Sequence, residues 1–268
     1  GTNSTAMLCG MRERGIRPDV IIFADTGGEL PHTYEHVALM TAQVQVWWGI
    51  TLHTVTMTRK GQPITLEQDC LNKGLLPSIS YGRRSCSQRS KHEPMEKLLV
   101  QLAKAEGVTE IRKAIGYDAG ETGRGRNAPP SKTLKKGITE TYWYPLREWG
   151  WGRDECIAAI ARHGLTQPNK SACFFCAATR RSEVLRMEKE HPQHLARALA
   201  MEEKAQAKHR TLIGLGGKRN LWANWLHNDA AQGKFTLDLE PVHLPCGCYD
   251  GESSANTPVR DAAQPRSL

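Results

Sequence analysis

The chain has 268 residues, of which 39% are hydrophobic, 24% charged and 6% aromatic. That is enough apolar material for a large α/β domain with an appendage, and too much for wholesale disorder. No apolar run approaches the roughly 20 residues of a membrane span; the longest candidates, such as Val20–Ala24, are strand-sized. Lys and Arg number 36 against 28 Asp and Glu, a net charge of +8, which favours an anionic partner such as a nucleotide, a phosphate or a nucleic acid.

In chain order, Ser4 and Thr5 stand where a helix cap belongs, ahead of Met7, Leu8 and Met11, with Gly15 at the expected C-terminal end. Asp19–Ala24 reads as a strand buried on both faces. Pro31 suits the first turn of a helix running to Gly49, and the β-branched alternation of Ile50–Met57 predicts a second strand. Met95, Leu98, Leu99 and Leu102 mark an amphipathic helix over Glu93–Ala105, before a strand at Glu110–Ile115. The Gly-, Lys- and Arg-rich stretch Gly116–Thr141 predicts a mobile loop over an anionic ligand, and Asp154–Arg162 and Ser182–Ala207 are expected helices.

Strands separated by helices predict an α/β fold, a doubly wound parallel sheet with helices on both faces, followed by a helical cysteine-bearing C-terminal region. The expected division is an adenine-nucleotide-binding domain over 1–165, the cysteine-bearing region over 166–252 and a disordered polar tail over 253–268. Eight cysteines are too few for a disulfide scaffold of this length, and the opening residues do not read as a signal peptide, so a reducing cytoplasm is the expected location.

Gly1-Thr-Asn-Ser-Thr5 opens a helix, where backbone N–H groups and the helix dipole hold phosphate, and Asp25-Thr-Gly-Gly-Glu29 follows the next strand, at the edge where parallel sheets bind ligands. Together with Pro31-His-Thr-Tyr34, Cys86-Ser-x-x-x-Lys91-x-x-Pro94, Ile115-Gly-Tyr-Asp-Ala-Gly-Glu121, Tyr144-Pro-Leu-x-Glu-Trp149 and Cys173-Phe-Phe-Cys176, these segments resemble the phosphoadenosine phosphosulfate (PAPS) reductase family of the adenine-nucleotide α-hydrolase-like (PP-loop) superfamily. The resemblance covers roughly Gly1 to Cys176 and lies in the order of the pieces rather than in any one of them. It departs from the family at Thr2 and Asn3, where Lys and Asp are usual, and in the offset of Arg124 and Arg126. The family also places a buried strand and further glycine ahead of this loop, so the parent gene is expected to encode them before Gly1.

The resemblance implies nucleotide binding by Gly1, Thr2, Asn3, Ser4, Thr5, Asp25, Thr26, Gly27, Gly28, Lys91, Gly116, Glu121, Arg124 and Arg126. It implies metal ligation by Cys86, Cys173 and Cys176 in a 4Fe-4S cluster, with one iron left to Cys246, Cys248 or an exogenous sulfur species. The spacing of Cys173-x-x-Cys176 and Cys246-x-Cys248 equally suits structural zinc. Cys9, Cys70 and Cys156 are expected to be inert, His32 and His36 to face solvent, and Trp222 and Trp225 to be packing residues.

The implied activities share an adenine nucleotide and sulfur. In one, a sulfonucleotide is reduced to sulfite, with Cys246 or Cys248 attacking sulfur and a donor protein supplying electrons. In another, ATP is cleaved to AMP and pyrophosphate to activate a nucleic acid for thiolation or phosphorothioation, with a sulfur donor as partner. A nucleotide- or nucleic-acid-binding module without catalysis is the alternative of a different class, and no membrane partner is expected.

Overall fold

A computed structural model describes residues 1–83, 85–121, 131–134, 137–209 and 213–232. Helix α1 spans Thr2–Glu13 with Gly1 at its N-cap, so Ser4 and Thr5 lie inside the first turn rather than capping it. The helix ends before Gly15, and Arg14 takes the C-cap position. Strand β1 (Ile21–Asp25) leads through α2 (Pro31–Trp48) to β2 (Leu52–Thr56), which pairs parallel with β1 from Ile21 opposite Leu52 to Asp25 opposite Thr56. Pro31 opens α2 and Gly49 closes it in the left-handed conformation, as their backbone preferences require. The five residues of β1 are half-buried rather than enclosed on both faces.

A short hairpin, β3 (Thr58–Arg59) with β4 (Gln62–Pro63), precedes α3 (Leu66–Lys73). Helix α3 opens on a reciprocal cap, the Thr65 hydroxyl accepting from the Gln68 N–H and the Gln68 side chain from the Thr65 N–H, both at 3.1 Å. Then come a 3-10 turn at Ser78–Tyr81, α4 (Ser85–Ser87), a π-helical turn at Gln88–His92 and α5 (Glu93–Ala105).

Strand β5 (Glu110–Ala114) pairs parallel with β7 (Thr139–Trp143), whose other edge pairs antiparallel with β6 (Ser131–Thr133). The expected loop over 116–141 therefore contains sheet: Thr-Glu-Thr-Tyr-Trp is β-branched and aromatic, and that outweighs the glycine and lysine around it. Helix α6 (Pro145–Glu148) seats the fully buried Leu146, and α7 (Arg153–Arg162) packs on α1 through Ala6, Cys9, Cys156, Ala159 and Ile160. Gly10 belongs to this contact, since a Cβ there would lie 2.3 Å from the Trp149 ring.

The expected helix over 182–207 is two, α8 (Arg181–Glu190) and α9 (Pro192–His209), because Pro192 supplies no N–H and starts a new helix. A second hairpin, β8 (Ile213–Gly214) with β9 (Gly217–Lys218), leads to α10 (Trp222–Gln232). The largest core joins Met57, Leu66 and Leu76 to Phe174, Phe175, Val184, Met201, Leu215 and Trp222. The molecule is thus mixed α/β with small parallel and mixed sheets, and no helix among the described residues is long and apolar enough to cross a membrane. The polar tail expected over 253–268 lies outside the described residues.

Candidate nucleotide and thiol site

The first turn of α1 receives no side-chain cap, and neither does that of α2, whose N-cap is Leu30. Both helix starts, through Gly1, Ser4 and Thr5 and through His32, Thr33 and His36, line a cavity of about 270 Å³ together with β1 and Lys91. The Thr33 hydroxyl is buried with no hydrogen-bond partner. Uncapped N–H groups, the positive ends of helix dipoles, an ammonium and an orphaned hydroxyl all suit an anion. The rest of the lining is mainly apolar, from Ile22, Phe23, Val37, Met40, Leu52 and Met95.

At the end of β1, Asp25 Oδ1 accepts from the Gly27 N–H at 2.7 Å and from the Tyr34 hydroxyl at 3.0 Å. Gly27 has φ +69°, and its Cβ would lie 2.3 Å from Thr65; a Cβ at Gly28 would lie 2.5 Å from Phe175. Close packing by the protein itself thus accounts for both glycines. The loop is tied to the cysteine segment: the Phe174 N–H donates to the Gly28 carbonyl at 2.7 Å, Glu29 and Cys173 form a β-bridge, and Thr26 Oγ1 lies 3.1 Å from Cys173 Sγ.

On the other side of the α1 start, Asn3 Nδ2 donates to Asp118 Oδ2 at 3.0 Å and Glu121 Oε2 at 3.2 Å, while Arg153 donates to Asn3 Oδ1 at 3.4 Å. A Cβ on Gly116 would stand 3.3 Å from the Asn3 and Ser4 backbone, so the segment that follows β5 runs against this turn. Gly116 and Glu121 thus lie against the first turn of α1, and Asp118 and Arg153 join them. Asp118 was legible as part of the Gly-Tyr-Asp-Ala-Gly-Glu segment; Arg153 carried no signal. Thr2 is buried, its hydroxyl 3.4 Å from the Pro168 carbonyl. Arg124 and Arg126 lie outside the described residues.

Cys86, Cys173 and Cys176 line one cavity of about 30 Å³ with Thr26, Ser90, Phe175 and Lys91. Cys86 sits in α4, its N–H donating to Ser78 Oγ at 2.7 Å, and the Cys176 N–H donates to the Cys173 carbonyl at 2.9 Å. Burial pushes the Cys173 and Cys176 thiols up. The fully buried Glu29 carboxylate lies 3.6 Å from the Lys91 ammonium. Burial alone would push Lys91 down; Glu29, Cys173 and Cys176 outweigh it, and the ammonium is held above its ordinary range.

For an iron–sulfur cluster or zinc, the donors fit in kind, since soft thiols from distant segments share one cavity. Among the described residues no group of three or more His, Cys, Asp or Glu side chains is gathered closely enough to hold a metal ion. Cys246 and Cys248 lie outside the described residues. Cys9, Cys70 and Cys156 are buried free thiols that burial pushes up to about 12, in keeping with inert residues.

Sequence reading missed His36, which is half-buried rather than solvent-facing, its Nε2 2.8 Å from Thr5 Oγ1. Burial brings His36 from 6.5 down to about 4, and His92 likewise. Both side chains are neutral in the fold at a pH where the unfolded chain already binds protons, so stability rises with pH across that window. Their contribution is complete above pH 6.5 and is lost as the pH falls to about 4. Urea midpoints measured across this range should decline less steeply for a His36→Gln/His92→Gln double variant than for the wild type; parallel profiles would refute the assignment.

No protein-family model matches this chain, and no curated protein matches it.

Proposed function

We propose that the chain is a PAPS reductase-like enzyme that binds an adenine nucleotide across Gly1–Thr5 and Asp25–Gly28 and performs sulfonucleotide reduction beside it. One observation carries this reading: Lys91 lines both the cavity at the α1 start and the cavity of the three thiols. An anion held by helix N-termini and Lys91 would bring a bound sulfonucleotide next to soft sulfur donors. In this reading the two parallel pairs belong to one doubly wound sheet with helices on both faces, and the enzyme works in a reducing cytoplasm with a donor protein.

Cys86, Cys173 and Cys176, which line one cavity without forming a closed ligand set, would have to draw together to hold a 4Fe-4S cluster, which when bound would supply a sulfur-binding iron; zinc is the competing occupant. Lys91 neutralises the phosphate or sulfate group and Thr33 donates to it; the thiolate of Cys246 or Cys248 would attack sulfur, breaking the S–O bond so that the adenosine phosphate leaves, and the dithiol of the donor protein would then reduce the S-sulfonated cysteine, releasing sulfite. ATP pyrophosphatase-type activation of a nucleic acid is the second reading. It is favoured by Asp118 and Glu121 beside the α1 start, where carboxylates suit a Mg²⁺–nucleotide complex.

Anaerobic incubation with PAPS and, separately, with ATP distinguishes the readings, alongside iron, sulfide and zinc analysis. Sulfite from PAPS is the expected product. Pyrophosphate from ATP would replace the first reading with the second, and tight binding without turnover would leave a nucleotide-binding module. Absence of binding to either nucleotide would overturn all of these.

A further inference from the structure

A strongly basic patch lies outside both cavities. The Asp69 carboxylate on α3 is 3% exposed and gathers three cations, Arg59 at 3.2 Å, Lys73 at 2.5 Å and Arg89 at 3.9 Å. One negative charge therefore anchors three positive ones, and Arg59 and Arg89 each keep 46% of the side chain exposed. Lys60, at the tip of the β3–β4 hairpin, is exposed, as is Lys208, whose ammonium donates to the Lys73 carbonyl. The other acidic side chain of α3, Glu67, is held by Arg197, so the patch keeps a clear positive excess.

The fold puts this patch beside the candidate site. Thr56 at the end of β2 is level with Asp25 at the end of β1, and the hairpin begins two residues later. The Leu66 N–H at the start of α3 donates to the Thr26 carbonyl at 2.9 Å. Arg89 belongs to the same π-helical turn as Lys91.

The chemistry selects the partner. Guanidinium groups present paired donors that match phosphate oxygens, and a shared buried carboxylate holds them in position before any ligand arrives. Protein interfaces draw their affinity from apolar and aromatic anchors. The exposed large hydrophobic residues among the described ones are Tyr34, Leu39, Val46 and Val108, none on the segments that carry the patch. We propose that the patch around Asp69 docks the phosphodiester backbone of a nucleic-acid strand, with Arg59 and Arg89 on phosphates and Lys60 and Lys208 extending the track.

This inference does not rest on the nucleotide reading, and its test separates the two. A fluorescein-labelled single-stranded DNA oligonucleotide is titrated by anisotropy over a salt series, with ATP and PAPS binding measured by calorimetry on the same variants. Affinity should fall linearly with the logarithm of salt concentration. Arg59→Ala/Arg89→Ala, which leaves Lys73 on Asp69, should lower the slope by about 1.4, since each single-strand phosphate contact contributes about 0.7. Lys60→Glu, which leaves the Asp69 ion pairs intact, should weaken oligonucleotide binding even if the double variant misfolds by circular dichroism. Arg17→Ala, just before the opposite end of β1, should change nothing. No oligonucleotide binding, an unchanged slope in the double variant together with unchanged affinity in Lys60→Glu, or equal binding of polyglutamate would overturn the proposal, the last result pointing to an acidic protein. Loss of oligonucleotide binding with nucleotide affinity retained supports it, whereas nucleotide silence with oligonucleotide binding intact strikes the proposed function alone.

Discussion

Lys91→Met is expected to lower the free energy of unfolding by about 3 kcal/mol and to weaken nucleotide binding by about tenfold or more. The stability loss arises because Glu29 is fully buried and has the Lys91 ammonium 3.6 Å away; without it, a carboxylate remains in a low-dielectric setting with the Ser171 hydroxyl at 3.3 Å. Because Lys91 keeps 16% of its side chain exposed, the loss falls at the lower end of the range for broken buried pairs. Adding Glu29→Gln removes the stranded charge and should restore most of the stability without restoring nucleotide affinity. Urea denaturation and calorimetry on the single and double variants test the two halves separately. Full nucleotide affinity in a folded Lys91→Met protein would reduce Lys91 to a counter-ion for Glu29.

The second large effect arises at a residue that lines neither cavity. Glu202→Leu should destabilise the protein by about 4 kcal/mol and expose the α10 segment to protease. The Glu202 side chain is buried inside α9, and its carboxylate accepts the N–H groups of Leu215 at 2.7 Å, Trp222 at 3.0 Å and Ala223 at 3.3 Å. It therefore caps α10 from another element and pins the β8–β9 hairpin, and leucine would leave three donors without that acceptor. Glu202→Gln keeps an acceptor oxygen and should cost only about 1–2 kcal/mol. A leucine variant within about 1 kcal/mol of wild type, a typical single hydrogen-bond contribution, would show that solvent satisfies these amides and would sink the argument.

Local rules written in the sequence carried much of the fold. Pro31 and Gly49 bracket α2, and the leucine spacing of α5 matches its observed limits, because these signals act within a few residues. What sequence missed depends on tertiary neighbours. Glu202 occupies an ordinary helical position for a surface carboxylate; only the amides brought by α10 make it a buried cap. Asp69 likewise reads as one acid in a helix until Arg59 and Arg89 arrive from other segments. Helix α3 carries its start signal in Thr65 and Gln68, but its eight residues are too short to show a clear apolar period. At the site, the resemblance pointed to Cys86, Cys173 and Cys176, which line one cavity without forming a gathered ligand group, whereas the burial of His36 and the link through Lys91 needed three dimensions.

The hydrogen bond from the Phe174 amide to the Gly28 carbonyl offers a view of the site that needs no turnover. That amide is screened from deuterium only while the cysteine loop is docked on the β1 exit, so its exchange rate measures the opening of this one junction. Any ligand or metal that binds the docked arrangement in preference to the open one must slow that exchange by the factor of its preference. A single backbone proton can therefore report, in one unliganded and one loaded sample, whether an occupant of either cavity holds the two loops together.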